Sequence, residues 1–335
     1  MSRTPAQRAM LRAVAVCGLI SSGYVAGLYL LSPSLDFSVR DTPRFIRRRL
    51  AAATALTVLL VLLSPRLLPE HSSSSSSSTI AQALGCEADL STVLSASGVV
   101  AVLMSLFYLG PLVTNASLLV LRFGHVVSEG GECVPRKSPW YSSATLQAVA
   151  RLEMAHYSSA LSSWCSSEQQ LHQFARNLVV APISEEIVFR AIMVAILYPA
   201  CKSVQTVVLV APLLFAPAHI HHALVKVYSG YAVRDAALES VAQLTYTYIF
   251  GAIATLLLLR TGTLAAPIVA HVICNYVQLP DLGFMSPPGR GGGGGQPLSA
   301  LYGLRHALLA AHALGLVLFA VCIGPLTQPF KIQRG

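Results

Sequence analysis

Two adjacent glutamates and an arginine stand inside an apolar stretch of the chain, where Pro182 to Arg190 read Pro-Ile-Ser-Glu-Glu-Ile-Val-Phe-Arg. The chain is 54% apolar and only 11% charged, so ionic side chains are rare in it. Because a charge at membrane depth costs roughly 2.5 to 3.5 kcal/mol on insertion scales, such a cluster indicates a functional site. Carboxylates in such a place can act as general acids or bases.

The helical spacing of these three side chains predicts different tasks for them. Glu186 and Arg190 are four residues apart, so on a helix they share a face and can form an ion pair. Glu185 is rotated by about 100° from Glu186 and points elsewhere. We therefore predict that Arg190 holds Glu186 and that Glu185 is available as a base for water. The alternative is a buried ion pair that only fixes helix packing.

A second group of candidates follows Phe215 and comprises His219, His221 and His222. A single histidine on an apolar helix is usually a hydrogen-bonded core residue, whereas several close together could also bind a metal. Zinc needs three or four ligands at about 2.0 to 2.2 Å, so His219 or His222, His271 and a carboxylate would have to converge. The HExxH pattern of zinc metalloproteases does not occur in this sequence.

The third candidate pair is His271 and Asn275, which lie four residues apart on one helix face. Both side chains can donate a hydrogen bond, and two converging donors suit a developing oxyanion. The alternative is a polar pair that joins helices, which in membranes contributes only about 0.6 kcal/mol on average.

In combination, a carboxylate, an imidazole, and a paired imidazole and amide are the groups that metal-free hydrolysis of an amide needs. We therefore predict that no metal and no cofactor takes part. Ser184 has no base in a fixed relation to it, and Cys274 is rotated off the face of His271 and Asn275. Neither is predicted to be a nucleophile.

The elements that must position these residues are apolar helices, since the mean hydropathy of +0.62 is typical of a polytopic membrane protein. We predict an all-α fold of about eight transmembrane helices that enclose a catalytic cavity. Several runs are shorter than the roughly 20 residues of a full span, so we expect broken or sheltered helices. The apolar runs are Leu11 to Ser32, Leu50 to Leu63, Leu94 to Leu121, Phe174 to Leu197, Val204 to Phe215, Val241 to Leu259, Leu264 to Val277 and Leu304 to Ile323.

Two low-complexity tracts interrupt this pattern. Residues 72–78 are all serine, and residues 287–295 are rich in proline and glycine. Neither tract can bury apolar area, so we predict a disordered serine loop and a flexible Pro/Gly loop within one membrane-embedded protease domain, residues 1–335.

The net charge of +9 is concentrated beside apolar segments, as at Arg44 and Arg47 to Arg49. Basic residues near helix ends favour a cytosolic loop there and contact with anionic lipid headgroups. No basic stripe interleaved with aromatic residues occurs, so we expect no nucleic-acid partner.

Three motifs within residues 176–280 resemble those of the type II CaaX prenyl endopeptidases, or Ras-converting enzymes, of the CaaX-protease and bacteriocin-processing superfamily. They occur in the family's order and at family-like spacing, which is more specific than any one of them. The motifs are Arg176 to Arg190, Phe215 to His222, and Arg260-Thr261-Gly262 followed by His271, Asn275 and Tyr276.

The resemblance implies a multi-pass enzyme of the endoplasmic-reticulum membrane that removes the last three residues of farnesylated or geranylgeranylated CaaX proteins, such as small GTPases. By the same resemblance Glu185 would activate water together with His219, and His271 with Asn275 would form the oxyanion site. Glu186, Arg190 and Phe215 would support that constellation.

The sequence is also compatible with three other hypotheses about function. One is a zinc-dependent membrane protease built on His219, His271 and a carboxylate. Another is a proton-coupled transporter, because buried Glu, His and Arg side chains also mark such proteins. No internal repeat of the glutamate or histidine segments supports the transporter. A catalytically silent scaffold is the third, and the intact motifs argue against it.

Overall fold

The computed structural model describes residues 4–33, 39–68, 88–129, 167–219, 221–287 and 297–328. Within these ranges the chain is helical and contains no strand, which confirms the predicted all-α class. The serine tract 72–78 and residues 288–295 of the Pro/Gly tract lie outside the described ranges. The α-helices are α1 (Pro5–Leu31), α2 (Pro43–Leu67), α3 (Leu90–Phe107), α4 (Leu109–Glu129), α5 (Glu168–Phe174), α6 (Ala181–Glu185), α7 (Met193–Cys201), α8 (Val204–Phe215), α9 (His221–Tyr228), α10 (Val233–Thr261), α11 (Ala265–Val277) and α12 (Arg305–Leu326).

The lengths of these helices confirm a polytopic membrane protein. Five are long and apolar enough to cross a bilayer: α1, α2, α3, α10 and the stretch Leu298–Leu326 that includes α12. Three shorter apolar helices accompany them, namely α8, α11 and the first part of α4. Large apolar side chains point outward from the spans, as Leu19 and Leu62 do at 74% and 67% exposure, which suits contact with lipid.

The predicted apolar run from Leu94 to Leu121 is two helices, so its continuity was predicted wrongly. Helix α3 ends at Phe107 and α4 begins at Leu109. Pro111 lies in the first turn of α4, where its missing N–H group is tolerated. Pro111 also offers no N–H group to the carbonyl oxygen of Phe107, four residues earlier, and its ring crowds that group, which explains the interruption at this point.

The chain packs as two compact units. The first comprises Met1–Ala101, Leu171–Tyr276 and Leu326–Gly335, and the second comprises Val102–Gln170 and Val277–Pro325. In the second unit the rings of Phe107 and Phe319 meet edge to face, with their centroids 5.2 Å apart. The single protease domain predicted over residues 1–335 stays a prediction.

The core of the first unit forms where α1 packs against α7 and the turns that precede it. Cys17 is fully buried there, and its Sγ donates to the carbonyl oxygen of Met193 at 3.7 Å, as expected of a small packing residue. Burying a large aliphatic side chain contributes about 1.5 to 3 kcal/mol, so this cluster holds the segment after Glu186 rigidly. The buried side chains around Cys17 are those of Val188, Ile192, Met193, Leu197 and Val207.

Candidate active site

The two adjacent glutamates lie in a helix that is not regular. The sequence predicted one helix from Phe174 to Leu197, but π-helical turns at Ala175–Val180 and Glu186–Ile192 flank the short helix α6. Pro182 offers no N–H group, and its ring crowds the carbonyl group four residues earlier, which explains the wider turn before it. Such π-helical turns are frequent at functional sites.

The predicted ion pair of Glu186 and Arg190 is present. The Nε atom of Arg190 lies 3.1 Å from Oε2 of Glu186, and the two side chains are 1% and 0% exposed. Removing either charge would leave the other buried without compensation.

Aromatic rings complete the surroundings of Arg190. Its Cζ lies over the ring of Phe215 at 4.3 Å and over that of Phe250 at 5.5 Å. Both Nη atoms of Arg190 are buried, and neither has a hydrogen-bond partner among the residues that the structure describes. Ring faces attract a guanidinium group, so they compensate part of its burial. Phe215 therefore supports the ion pair by direct contact.

The sequence analysis did not single out Phe250 or Gly251, although both contact this cluster from α10. A Cβ atom at Gly251 would lie 3.0 Å from Cβ of Pro212 and 3.3 Å from Nη2 of Arg190. The glycine therefore allows α10 to approach α8 closely. The only signal in the sequence was a Phe-Gly pair within a long apolar helix.

His271 binds the other oxygen of Glu186. Its Nδ1 atom lies 2.7 Å from Oε1 of Glu186, and its Nε2 atom lies 4.0 Å from Oε2 of Glu185. As the carboxylate of an ion pair, Glu186 accepts the hydrogen bond, so Nδ1–H of His271 is the donor. Glu186 thereby fixes the orientation of the imidazole and turns Nε2 toward Glu185. We call Glu186, Arg190 and His271 the buried triad.

Glu185 opens into a cavity of about 240 Å³. Its side chain is 27% exposed, whereas that of Glu186 is fully buried. Phe189, Phe215 and His219 line the cavity together with Glu185, and α1 and α2 supply many of the other lining residues. Of the two glutamates, only Glu185 therefore has access to the cavity.

His219 ends a short 3₁₀ turn, Ala216–His219, that follows α8. Its ring meets that of Phe215 edge to face, with the centroids 4.9 Å apart. The side chains of His221 and His222 lie outside what the structure describes. Within the described residues, no group of three His, Cys, Asp or Glu side chains has a geometry that could hold a metal ion.

Asn275 is engaged with a different part of the site. Its Nδ2 atom donates to the carbonyl oxygen of Asn177 at 2.8 Å, which ties α11 to the first π-helical turn. His271 and Asn275 thus share a face of α11 but direct these hydrogen bonds to different acceptors. The amide nitrogen carries two hydrogens, so the bond to Asn177 uses one of them.

Ser184 lines the same cavity next to Glu185. Its Oγ atom donates to the carbonyl oxygen of Val180 at 2.6 Å, within its own helix. A serine that bonds back to its helix in this way is not activated by a neighbouring base. That Ser184 is not a nucleophile stays a prediction.

The comparisons with known proteins concern this same region. The family model "Type II CAAX prenyl endopeptidase Rce1-like" matches residues 167–277. The chain is 36% identical over 159 residues to "CAAX prenyl protease 2" of Homo sapiens, which covers 47% of this chain and 44% of that protein. It is 37% identical over 156 residues to the protein of the same name in Arabidopsis thaliana, covering 46% and 44%. No solved structure matches the chain significantly.

A third relative, "Probable CAAX prenyl protease 2" of Schizosaccharomyces pombe, is 41% identical over 110 residues, which cover 32% of this chain and 40% of that protein. In each case the matched segment spans less than half of the relative's length. The segment matched by the family model contains the buried triad, Glu185, His219 and Asn275. Residues 167–277 of the chain are therefore similar in sequence to the type II CaaX prenyl endopeptidase family.

Proposed function

We propose that the chain is a CaaX prenyl endopeptidase that removes the C-terminal tripeptide of farnesylated or geranylgeranylated CaaX proteins. The observation that carries this proposal is the contrast between the two glutamates. Glu186 is held by His271 and Arg190, whereas Glu185 reaches the cavity. A carboxylate placed at a cavity beside an imidazole is suited to activate water.

In the proposed reaction Glu185, with His219, takes a proton from water while the water oxygen attacks the carbonyl carbon of the prenylated cysteine. The bond between that carbon and the amide nitrogen then breaks, and the proton passes from Glu185 to the departing amine. The products are a new carboxyl group on the prenylated cysteine and a free tripeptide.

The tetrahedral oxygen needs hydrogen-bond donors, and we assign this role to Asn275 and His271. The second hydrogen of the Asn275 amide is suited to the oxyanion. With Nδ1–H bound to Glu186, His271 donates to the oxyanion through Nε2 only when that nitrogen also carries a proton. Each such donor typically contributes about 3 to 4 kcal/mol to transition-state stabilisation.

The substrates that fit this proposal are prenylated CaaX proteins such as small GTPases, held in membrane lipid by their isoprenoid. The proposed location is the endoplasmic-reticulum membrane, and the proposed mechanism uses neither a metal nor a nucleic-acid partner.

The test is release of the tripeptide from a farnesylated CaaX peptide by purified, membrane-inserted protein. We expect Glu185→Gln to lower kcat by roughly 10²- to 10⁴-fold, the usual contribution of a general base. Glu239→Gln is the matched control, because Glu239 is exposed on α10 and pairs with Lys226.

A zinc chelator separates the two protease readings in the same assay. Cleavage that resists the chelator and disappears in Glu185→Gln supports the glutamate mechanism. Cleavage that the chelator abolishes would support the zinc enzyme instead. Absence of cleavage by inserted wild-type protein with either prenyl group would overturn the proposed activity.

A further inference from the structure

Three arginines line the same cavity as Glu185, and the proposed reaction gives none of them a role. They are Arg40, just before α2; Arg49, on α2; and Arg176, in the first π-helical turn. All three side chains are half-buried. We call Arg40, Arg49 and Arg176 the arginine cluster.

Arg176 is held in place by its neighbours. Its Nη1 atom lies 2.9 Å from Oδ1 of Asp41 and also donates to the carbonyl oxygen of Arg40 at 3.4 Å. Its Nε atom donates to Oδ1 of Asn177 at 2.9 Å. These bonds orient the guanidinium group before any ligand arrives, which lowers the entropic cost of binding.

Arg49 is oriented by aromatic rings. Its Cζ lies over the ring of Tyr29 at 4.5 Å and over that of Phe45 at 5.6 Å. Among the residues that the structure describes, no carboxylate lies within ion-pair distance of Arg49. Its charge therefore faces the cavity without an anionic neighbour in the described part of the chain.

The balance of charge at this wall favours an anion. Asp41 pairs with Arg176 and Glu185 lines the same cavity, so among the described residues three arginines face two carboxylates. Burial, and then the neighbouring charge of Arg176, lowers the pKa of Arg40, which indicates that the arginines repel one another. A carboxylate that entered the cavity would relieve this repulsion and could accept paired hydrogen bonds from a guanidinium group.

The spacing along the chain defines the length of the ligand. Arg176 precedes Glu185 by nine residues of helix, which corresponds to at most about 13 Å along the axis at the α-helical rise of about 1.5 Å per residue, and the π-helical turn Ala175–Val180 shortens this distance. An extended tripeptide measures about 10 Å at roughly 3.3 to 3.6 Å per residue. The remaining distance is within the reach of the arginine side chains.

On the basis of the proposed function, we propose that the arginine cluster binds the α-carboxylate of the CaaX substrate. With that carboxylate on the arginines, the peptide bond three residues upstream lies at Glu185. The cluster would thus select free C-termini and set the length of the released fragment, because a longer peptide would displace its scissile bond from the base.

The test compares two farnesylated peptides of one sequence, one with a free C-terminal carboxylate and one with a C-terminal amide. We expect wild-type protein to prefer the acid in kcat/KM by about 10- to 100-fold, as for hydrogen bonds to a charged group. Arg49→Gln and Arg176→Gln should each raise KM for the acid by about 10-fold, with kcat nearly unchanged and cleavage of the amide unaffected.

Arg48→Gln is the matched control, because Arg48 carries the same charge on α2 but is exposed, and it should keep the wild-type preference. Equal cleavage of acid and amide by wild-type protein would overturn the proposal. An equal fall in kcat/KM for both peptides in Arg49→Gln and Arg176→Gln would also overturn it, because a structural defect affects the acid and the amide alike.

Binding of the two peptides to Glu185→Gln protein tests the arginine cluster without catalysis. Tighter binding of the acid than of the amide, lost in the Glu185→Gln/Arg49→Gln double variant, would support the arginine cluster. If the wild-type protein nevertheless cleaved neither peptide, the proposed reaction would be wrong but the binding role of the cluster would stand. Equal binding of acid and amide would overturn the inference while leaving the reaction intact.

Discussion

Arg190 and Arg49 belong to two regions of the same unit. Both are oriented by aromatic rings, but only the charge of Arg190 has a carboxylate partner among the described residues. Each guanidinium carbon lies over two aromatic rings, at 4.3 and 5.5 Å for Arg190 and at 4.5 and 5.6 Å for Arg49. Arg190 is buried and paired with Glu186. Arg49 is half-buried on the wall of the cavity and has no carboxylate partner within the described ranges.

The difference teaches that the stacking rings set orientation, while the nearest carboxylate decides what the charge does. In the buried triad Arg190 pairs with Glu186, and Glu186 in turn orients His271. In the arginine cluster the charge of Arg49 is left for a ligand. A buried charge with an ion-pair partner orients its neighbours, whereas a half-buried charge without such a partner is suited to ligand recognition.

The largest effect on stability is expected from Glu186→Gln, which removes the partner of Arg190 and keeps the shape of the side chain. Breaking a buried ion pair typically costs about 3 to 5 kcal/mol, because the remaining charge is uncompensated. Thermal unfolding in detergent should show a clear loss of Tm.

The double variant Glu186→Gln/Arg190→Met provides the control for that result, since it removes both charges. We expect it to be more stable than Glu186→Gln alone. A Glu186→Gln protein as stable as the wild type would show that the triad does not depend on the charge of Glu186.

Asn275→Ala should lower the rate of catalysis more than it lowers the stability of the fold. Loss of one oxyanion donor typically lowers kcat by about 10²- to 10³-fold. Loss of the bond to the carbonyl group of Asn177 costs only about 1 kcal/mol of folding free energy. Steady-state cleavage and thermal unfolding, measured on the same preparation, separate the two effects.

Asn115→Ala is the matched control, because Asn115 is exposed on α4. If Asn275→Ala lowered Tm but left kcat unchanged, Asn275 would only tie α11 to the first π-helical turn, and the oxyanion site would need another donor.

Salt concentration should affect the arginine cluster more than the buried triad, and this effect should be smaller than those of the substitutions above. Raising the ionic strength from about 0.1 M to 1 M shortens the Debye length from about 10 to 3 Å, which screens half-buried charges more than buried ones. We expect KM for the acid peptide to rise by roughly 3- to 10-fold with kcat nearly constant. The amide peptide corrects for salt effects on the prenyl group, and an equal rise for both peptides would contradict the carboxylate contact.

Part of this arrangement could be predicted from the sequence. The ion pair of Glu186 and Arg190 followed from their spacing, because both residues lie on one helix and its periodicity determines which side chains share a face. The helical spans followed from apolar runs, and the predicted bounds of α8, Val204 to Phe215, were the observed ones. The run from Phe174 to Leu197 was predicted as one helix, and its sequence did not indicate the π-helical turns on either side of α6.

Contacts between helices were beyond the sequence. His271 was predicted as a donor beside Asn275, but its Nδ1 atom binds Glu186, 85 residues away in the chain. Asn275 was expected at the oxyanion, and in the structure its amide donates to Asn177. Periodicity identifies the polar face of α11 but does not say which helix that face meets.

The sequence by itself determined the class of fold, the apolar helices and the local pairing of Glu186 with Arg190, because these depend on composition and on spacing within one helix. Only the tertiary structure decided that Arg49 lines the cavity while Arg48 does not, and that Arg176 joins the same wall. From the sequence, the arginines near α2 were only basic residues at a membrane surface. Which of them face the cavity depends on the rotation of α2 about its axis, and side-chain packing against neighbouring helices sets that rotation.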